Sequence, residues 1–210
     1  MLFDVSELKS CLNRPIKGVI HVGAHKAEEH TFYKDLGINK TIWIEANPNL
    51  LGDIINRTIL SKGQSIHIAA AYDKDFEIIR LNIANNGESS SIFDLDYHKI
   101  AHPHIHYTAY VDVPTRRVDS IVIDGGYRKE EFNFMNIDVQ GAELLVLKGS
   151  TELLENIDYV YTEVNQKSLY KDCALIDDLD QFLSQFGFTR EKTKMTEYGW
   201  GDAIYVKRDK

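Results

Sequence analysis

The sequence predicts an α/β fold with a mostly parallel sheet and helices on both faces, and two observations carry that prediction. Short runs rich in Val, Ile and Trp alternate with longer helix-compatible stretches along most of the 210 residues, the pattern of crossover units that join parallel strands. Near the end of the chain, Leu175, Ile176, Leu179, Phe182, Leu183 and Phe186 recur at helical spacing, which marks a helix laid against such a sheet.

The elements follow in order. "GVIHV" (18–22) and "TIWIEA" (41–46) read as strands around the helix "HKAEEHTFYKDLG" (25–37), which Gly37 closes as a C-cap. "NPNLLGDIINRTIL" (47–60) is a second helix with Pro48 near its start, and "SIHIAAA" (65–71) the next strand. "FEIIRLNIANNGESSSIF" (76–93) and "HYTAYVDVPTRRVDSIVI" (106–123) read as β segments around turn-rich stretches. Residues 76–130 are therefore expected to form an irregular β-rich insertion near an acceptor site. Regular alternation resumes with the strand "FNFMNID" (132–138), the helix "GAELLVLKGSTELLENI" (141–157) and the strand "YVYTEV" (159–164). The helix ending at Gly187 follows, and the tail offers two strands around a Gly-Trp-Gly turn. A single domain over 1–210 is expected, with 1–17 as an N-terminal extension.

Composition excludes some partners. A formal net charge of -8 argues against a nucleic-acid surface, which needs clustered Lys and Arg. Apolar runs fall far short of the roughly 20 residues that span a bilayer. The opening "MLFDVSELKS" carries acids where a secretory signal would be basic, and Cys11 and Cys173 form no paired motif, so the cytoplasm is the expected compartment.

The stretch "GVIHVGAHKAEEH" resembles a nucleotide loop stripped of glycines. Only Gly23 remains, while Ala24, His25 and Ala27 fill places where a pyrophosphate would need bare backbone. Glu45 lies 22 residues beyond Gly23, near the roughly 20-residue separation at which an acid grips ribose hydroxyls. A nucleoside whose ribose bears an amino-acid sulfonium, S-adenosylmethionine, would need the acid and not the glycines. Its carboxylate could meet helix N-terminal amides.

"HVGAHKAEE", "WIEANP", "SSSIF", "RRVDSI", "NIDVQGAELLVLKGS" and "YVYTEV", in that order, resemble the successive motifs of the FkbM-type family of S-adenosylmethionine-dependent methyltransferases. The likeness runs from about Gly18 to Tyr205, and "IDVQGAELLVLKG" is its most specific part. It implies a class I methyltransferase (Rossmann-like) fold, with a seven-stranded sheet and helices on both faces, and O-methylation of hydroxyls on sugars, glycolipids or macrolide-type products. A sugar or glycan is the leading acceptor. A cofactor-binding module that has lost transfer and a methyltransferase for a non-carbohydrate natural product are the alternatives, and a nicotinamide oxidoreductase is disfavoured by the missing glycines. The chain departs from the family at His21, where an Asp is usual, at Ala27, and at Gln140 in place of Glu.

These readings assign candidate residues. Cofactor contacts are expected from Gly23, Ala24, His25, Glu45, Ala46, Asn47, Ser90, Ser91 and Asp138, with Glu28 or Glu29, in the first helical turn, replacing the absent Asp at the cofactor ammonium; their bland role is to complement the helix dipole. Asp138 and Glu163 are the candidate bases for the hydroxyl proton, although Asp138 also reads as a helix cap. The run "DYHKIAHPHIHY" contains His98, His102, His104 and His106. His102 as base and His104 as acceptor contact, on a loop over the site, are preferred to a zinc arrangement. Asn165, Trp200 and Asp202 complete the acceptor side, Trp200 as a platform for a sugar ring or as packing. A divalent cation on Asp138, Glu163 and Asn165 is allowed by the ligand types, but no compact motif supports it.

Overall fold

In the computed structural model, which describes residues 1–208, ten strands and seven α-helices form. The strands are β1 (Val19–Val22), β2 (Thr41–Glu45), β3 (Gln64–Ile68), β4 (Ala70–Ala71), β5 (Ile78–Ala84), β6 (Tyr107–Arg116), β7 (Phe134–Ile137), β8 (Tyr159–Asn165), β9 (Phe188–Met195) and β10 (Trp200–Lys207). The helices are α1 (Val5–Cys11), α2 (His30–Asp35), α3 (Leu51–Thr58), α4 (His98–Ala101), α5 (Val118–Asp124), α6 (Glu143–Lys148) and α7 (Ile176–Ser184).

Strand β1 is buried along its whole length, and its side chains alternate between two cores. Ile20 and Val22 pack with Val118 and Val122 of α5, Val146 and Leu147 of α6, and Leu179 and Leu183 of α7. Val19 packs on the other face with Leu8 of α1, Tyr33 of α2 and Ile54 of α3. The main sheet runs β3-β2-β1-β7-β8-β10-β9, and only β10 lies antiparallel to its neighbours. Chain order reverses between β1 and β7, which opens a crevice at the carboxyl ends of those strands. This is the expected seven-stranded, mostly parallel sheet with helices on both faces.

Local readings needed five corrections. The helix expected from His25 begins only at His30, because His25 (φ 46°) and Ala27 (φ 56°) take left-handed backbone that no helix accepts. Residues 118–124 are helix α5, not a β segment: Val118, Ile121 and Val122 recur at helical spacing and are buried. Ala70 and Ala71 leave the main sheet and pair with Thr115 and Arg116 in a smaller sheet ordered β4-β6-β5. The helix expected over 141–157 is cut at Gly149, where a Cβ would stand 2.0 Å from the Tyr72 carbonyl oxygen. Trp200, placed in a turn by its two glycines, instead opens β10.

The segment before β1 is stitched to β8: the Tyr161 hydroxyl accepts from the Leu2 amide at 3.1 Å and the Tyr159 hydroxyl from the Asn13 amide at 2.9 Å. No helix among the described residues is long and apolar enough to cross a membrane.

Candidate active site

Two adjoining recesses open at the β1–β7 crevice. The first is built on backbone. Gly23 (φ 83°) turns the chain out of β1, and a Cβ there would lie 1.7 Å from the Asp138 carbonyl oxygen. The surviving glycine of the loop is thus demanded by the close approach of two chain segments. Past it, the His25 amide donates to Glu45 Oε2 at 2.7 Å, and the Asn47 amide to Glu45 Oε1 at 2.7 Å. Glu45 is buried; burial raises its carboxyl pKa, and the two amides oppose that rise. Each carboxylate oxygen spends one lone pair on an amide and keeps one. Glu45 can therefore still accept two hydroxyl protons side by side. Leu50, Ala70, Leu81, Ile92 and Ala142 wall the cleft beside it, and Gly87 brings the serine loop to within 3.4 Å of His25 Nε2, measured from where its Cβ would stand. An apolar slot edged by a diol-accepting carboxylate fits a nucleoside.

The second recess, a cavity of about 460 Å³, is built from side chains of distant segments. Gln140, held at φ 55°, donates from Nε2 to Asp138 Oδ1 at 2.6 Å and to Glu163 Oε2 at 2.9 Å. Its Oε1 accepts from the Tyr170 hydroxyl at 2.5 Å. Asp202 accepts from the Tyr161 hydroxyl. Beneath them, Glu143 Oε1 accepts from the amides of Val139 at 3.2 Å and Gly141 at 3.1 Å, so Glu143, and not Asp138, fastens the turn into α6, whose N-terminus has no side-chain cap.

Crowding of carboxylates separates their acidities. Burial, then the charges of Asp138, Glu143 and Asp202, push Glu163 well above the usual carboxyl range. Burial raises Glu143 to about 7. The Asp138 side chain is exposed to the cavity; desolvation by the surrounding protein and then Asp202 raise it to about 6 against the Gln140 amide, and solvent in the cavity moderates that rise. Of the two, Glu163 is the carboxyl that its surroundings push further toward the protonated form.

The remaining candidates divide. His102, His104, Trp200 and Asp202 line the large cavity, as do Glu28, Glu29 and Ser89. Ala46, Asn47 and Ser90 line the cleft beside Glu45. Gly23, His25, Asp138 and Gln140 line both. Ala24 is sealed in the core, Ser91 is buried with its hydroxyl on the Gln140 carbonyl oxygen at 2.7 Å, and Asn165 is buried with Nδ2 3.4 Å from Glu163 Oε1. None of these three faces either recess. Glu28 and Glu29 precede α2 rather than forming its first turn: Glu28 pairs with His25 Nδ1 at 3.0 Å, and Glu29 with the Met1 ammonium at 3.3 Å. His21 is buried against the Tyr33 hydroxyl at 2.9 Å, and burial lowers its pKa. His106 stays off the cavity wall, its Nδ1 3.3 Å from the His104 carbonyl oxygen. Among the described residues, no group of three or more His, Cys, Asp or Glu is arranged to hold a metal ion.

Lining residues that escaped the sequence reading as site members include Gln140, noted only as a departure, and Glu88, His98, Tyr161 and Tyr170. Gln140 had one signal, its place two residues after Asp138. His98 lay in the histidine run already singled out, without being the residue chosen from it, and Tyr170 had no signal, since loop contacts alone bring it to the cavity.

The family model described as "Methyltransferase FkbM domain" matches residues 21–190. Among solved structures, a protein of the NADB-Rossmann superfamily from Streptococcus agalactiae superposes with a TM-score of 0.55 at 10% identity, covering 97% of this chain and 67% of that one. The ribosomal protein L11 methylase of Lactobacillus delbrueckii gives 0.53 at 10% identity, covering 96% and 75%. The magnesium protoporphyrin IX methyltransferase of Synechocystis, with S-adenosylmethionine bound, gives 0.51 at 10% identity, covering 97% and 76%. These likenesses concern the fold. No curated protein matches the sequence.

Proposed function

The chain belongs to the FkbM methyltransferase family, and we propose that it methylates a hydroxyl of a sugar or glycan. S-adenosylmethionine is its cofactor; when bound, it supplies a methyl group on positive sulfur, open to in-line displacement, and leaves as S-adenosylhomocysteine. One observation carries the reading: Asp138 lines both the nucleoside cleft and the large cavity, where donor and acceptor must meet.

In this reading Glu45 accepts the ribose hydroxyl protons, with Ala46, Asn47 and Ser90 along the nucleoside. Glu29, which holds an ammonium in the structure, takes the cofactor's amino group in place of the Asp absent at His21, and Glu28 fixes His25 beside it. Asp138, ionised, accepts the acceptor's hydroxyl proton, a role suited to a base with a pKa near the working pH. Glu163, protonated, is a donor that orients the acceptor oxygen, and Asn165 supports it from behind. His102, His104 and Asp202 bind further hydroxyls, while the Trp200 ring offers its face to the sugar. One domain, with an N-terminal extension and a β-rich segment shaping the acceptor side, and a cytoplasmic setting read from the unpaired Cys11 and Cys173, belong to the same proposal.

Mass spectrometry of oligosaccharides incubated with S-adenosylmethionine tests it. One methyl gained with the native chain and lost with Asp138→Asn supports the reading. Methylation of a non-carbohydrate product alone, or S-adenosylhomocysteine binding without any methylated product, overturns it.

A further inference from the structure

The large cavity is walled by like charge. Glu28, Glu29, Glu88, Asp138, Glu163 and Asp202 line it, and among the described residues no Lys or Arg does. The ammonium on its wall, that of Met1, already pairs with Glu29 at 3.3 Å. The deepest histidines add no positive charge near neutral pH: burial lowers His21, and burial followed by the His102 charge lowers His98 to about 4. Even with Glu163 protonated, the wall keeps an excess of negative charge.

A second, independent observation concerns what the wall offers instead. His98 is 5% exposed, lines the same cavity, and its Nδ1 has no partner within the protein. A neutral imidazole nitrogen suits a hydroxyl, which donates or accepts according to the tautomer. A phosphate or carboxylate entering here would stand beside carboxylates in a recess with no guanidinium on its walls, and burying an unpaired charge is costly.

We propose that the acceptor hydroxyl belongs to an uncharged glycoside, so that methyl transfer follows glycosyl transfer and does not act on a nucleoside-diphosphate sugar. The proposal rests on the sugar reading above. The reaction that supplies the substrate is then a glycosyl transfer that has already discharged the nucleotide.

Matched sugars test it. Methyl glucoside with methyl glucuronoside, methyl galactoside with methyl galacturonoside, and UDP-glucose are offered to the full chain. Binding is read by saturation-transfer NMR with S-adenosylhomocysteine present, and product by mass spectrometry with S-adenosylmethionine. Both are run at roughly 20 mM and roughly 300 mM salt, where screening lengths differ about fourfold. At low salt the neutral member of a pair is expected to be favoured about tenfold or more. That gap shrinks at high salt and with Glu88→Gln, an exposed change on the cavity wall. A salt-sensitive gap distinguishes charge exclusion from the loss of one hydroxyl contact. Preference for a uronate or for UDP-glucose, or a gap indifferent to salt, overturns this inference and leaves sugar methylation standing. If no sugar binds or is methylated, the sugar reading itself falls, and this inference falls with it.

Discussion

Glu45 and Asp138 stand at the carboxyl ends of the two parallel strands that flank β1, yet they are held in unlike ways. Backbone amides of His25 and Asn47, both within the β1–β2 crossover unit or its exit, grip Glu45, and its orientation follows once β1 and β2 pair. Asp138 is set by the side chain of Gln140, which is itself set by Glu163 and Tyr170. The half around Glu45, proposed to hold the nucleoside, is thus a consequence of main-chain topology. The acceptor half is a side-chain network whose members depend on one another. In such a network a single change alters the acidity of the whole, whereas on the nucleoside half it removes one contact.

Changes ranked by expected size can break or sharpen that contrast. Asp138→Asn should lower methyl transfer by about 10²–10⁴-fold, the span of a lost general base, while calorimetry shows S-adenosylhomocysteine affinity within a few-fold of native; equal losses in both would merge the two halves. Glu45→Ala should weaken S-adenosylhomocysteine by about 10–100-fold, as for charged hydrogen bonds worth roughly 1.5–3 kcal/mol, and should leave the pH profile of turnover in place. A displaced profile would tie Glu45 to the acid network.

Glu143→Gln keeps an oxygen for the Val139 and Gly141 amides but removes a titrating group. The raised carboxyl pKa means that the folded state holds a proton the unfolded chain releases. Its stabilisation is complete below the ordinary value near 4.5 and is lost as pH rises through about 7. Urea unfolding should show the native chain weakening between those limits and the variant flatter, by on the order of 1–3 kcal/mol at pH 8. Parallel curves would refute the assignment. The smallest effect is expected of Gln140→Glu, which exchanges a shared donor for a further carboxylate. The acid limb of the pH–rate profile, set by Asp138, should move up by about one unit, and an unmoved limb would mean that Gln140 does not govern the pair.

Sequence legibility follows the same division. "GVIHV", "TIWIEA" and "YVYTEV" were readable as strands because buried parallel strands are continuous apolar runs, and Glu45 because its distance from Gly23 is a property of one crossover unit. Residues 118–124 were misread because a short apolar run fits both periods, and only packing against the sheet chooses between them. The helix start at His30 was missed because the left-handed residues before it are not glycines. Asp138 and Glu163 were found as strand-end acids. The amide that couples them, and the histidine and tyrosine beyond it, were not, since they meet through loops far apart in sequence.

By itself the sequence determined the alternation of strand and helix, the mostly parallel frame and the acid at the end of β2, because these rest on periodicity and on separations within one unit; the count of seven strands came from the family resemblance. Only the tertiary structure decided which carboxyl is pushed furthest toward its protonated form, why Gly23 cannot be replaced, and that the large cavity is lined by acids. Burial, a chain approach so close that a Cβ at Gly23 would stand 1.7 Å from the Asp138 carbonyl oxygen, and a cavity lined by six acids arise only when residues distant along the chain come together in space.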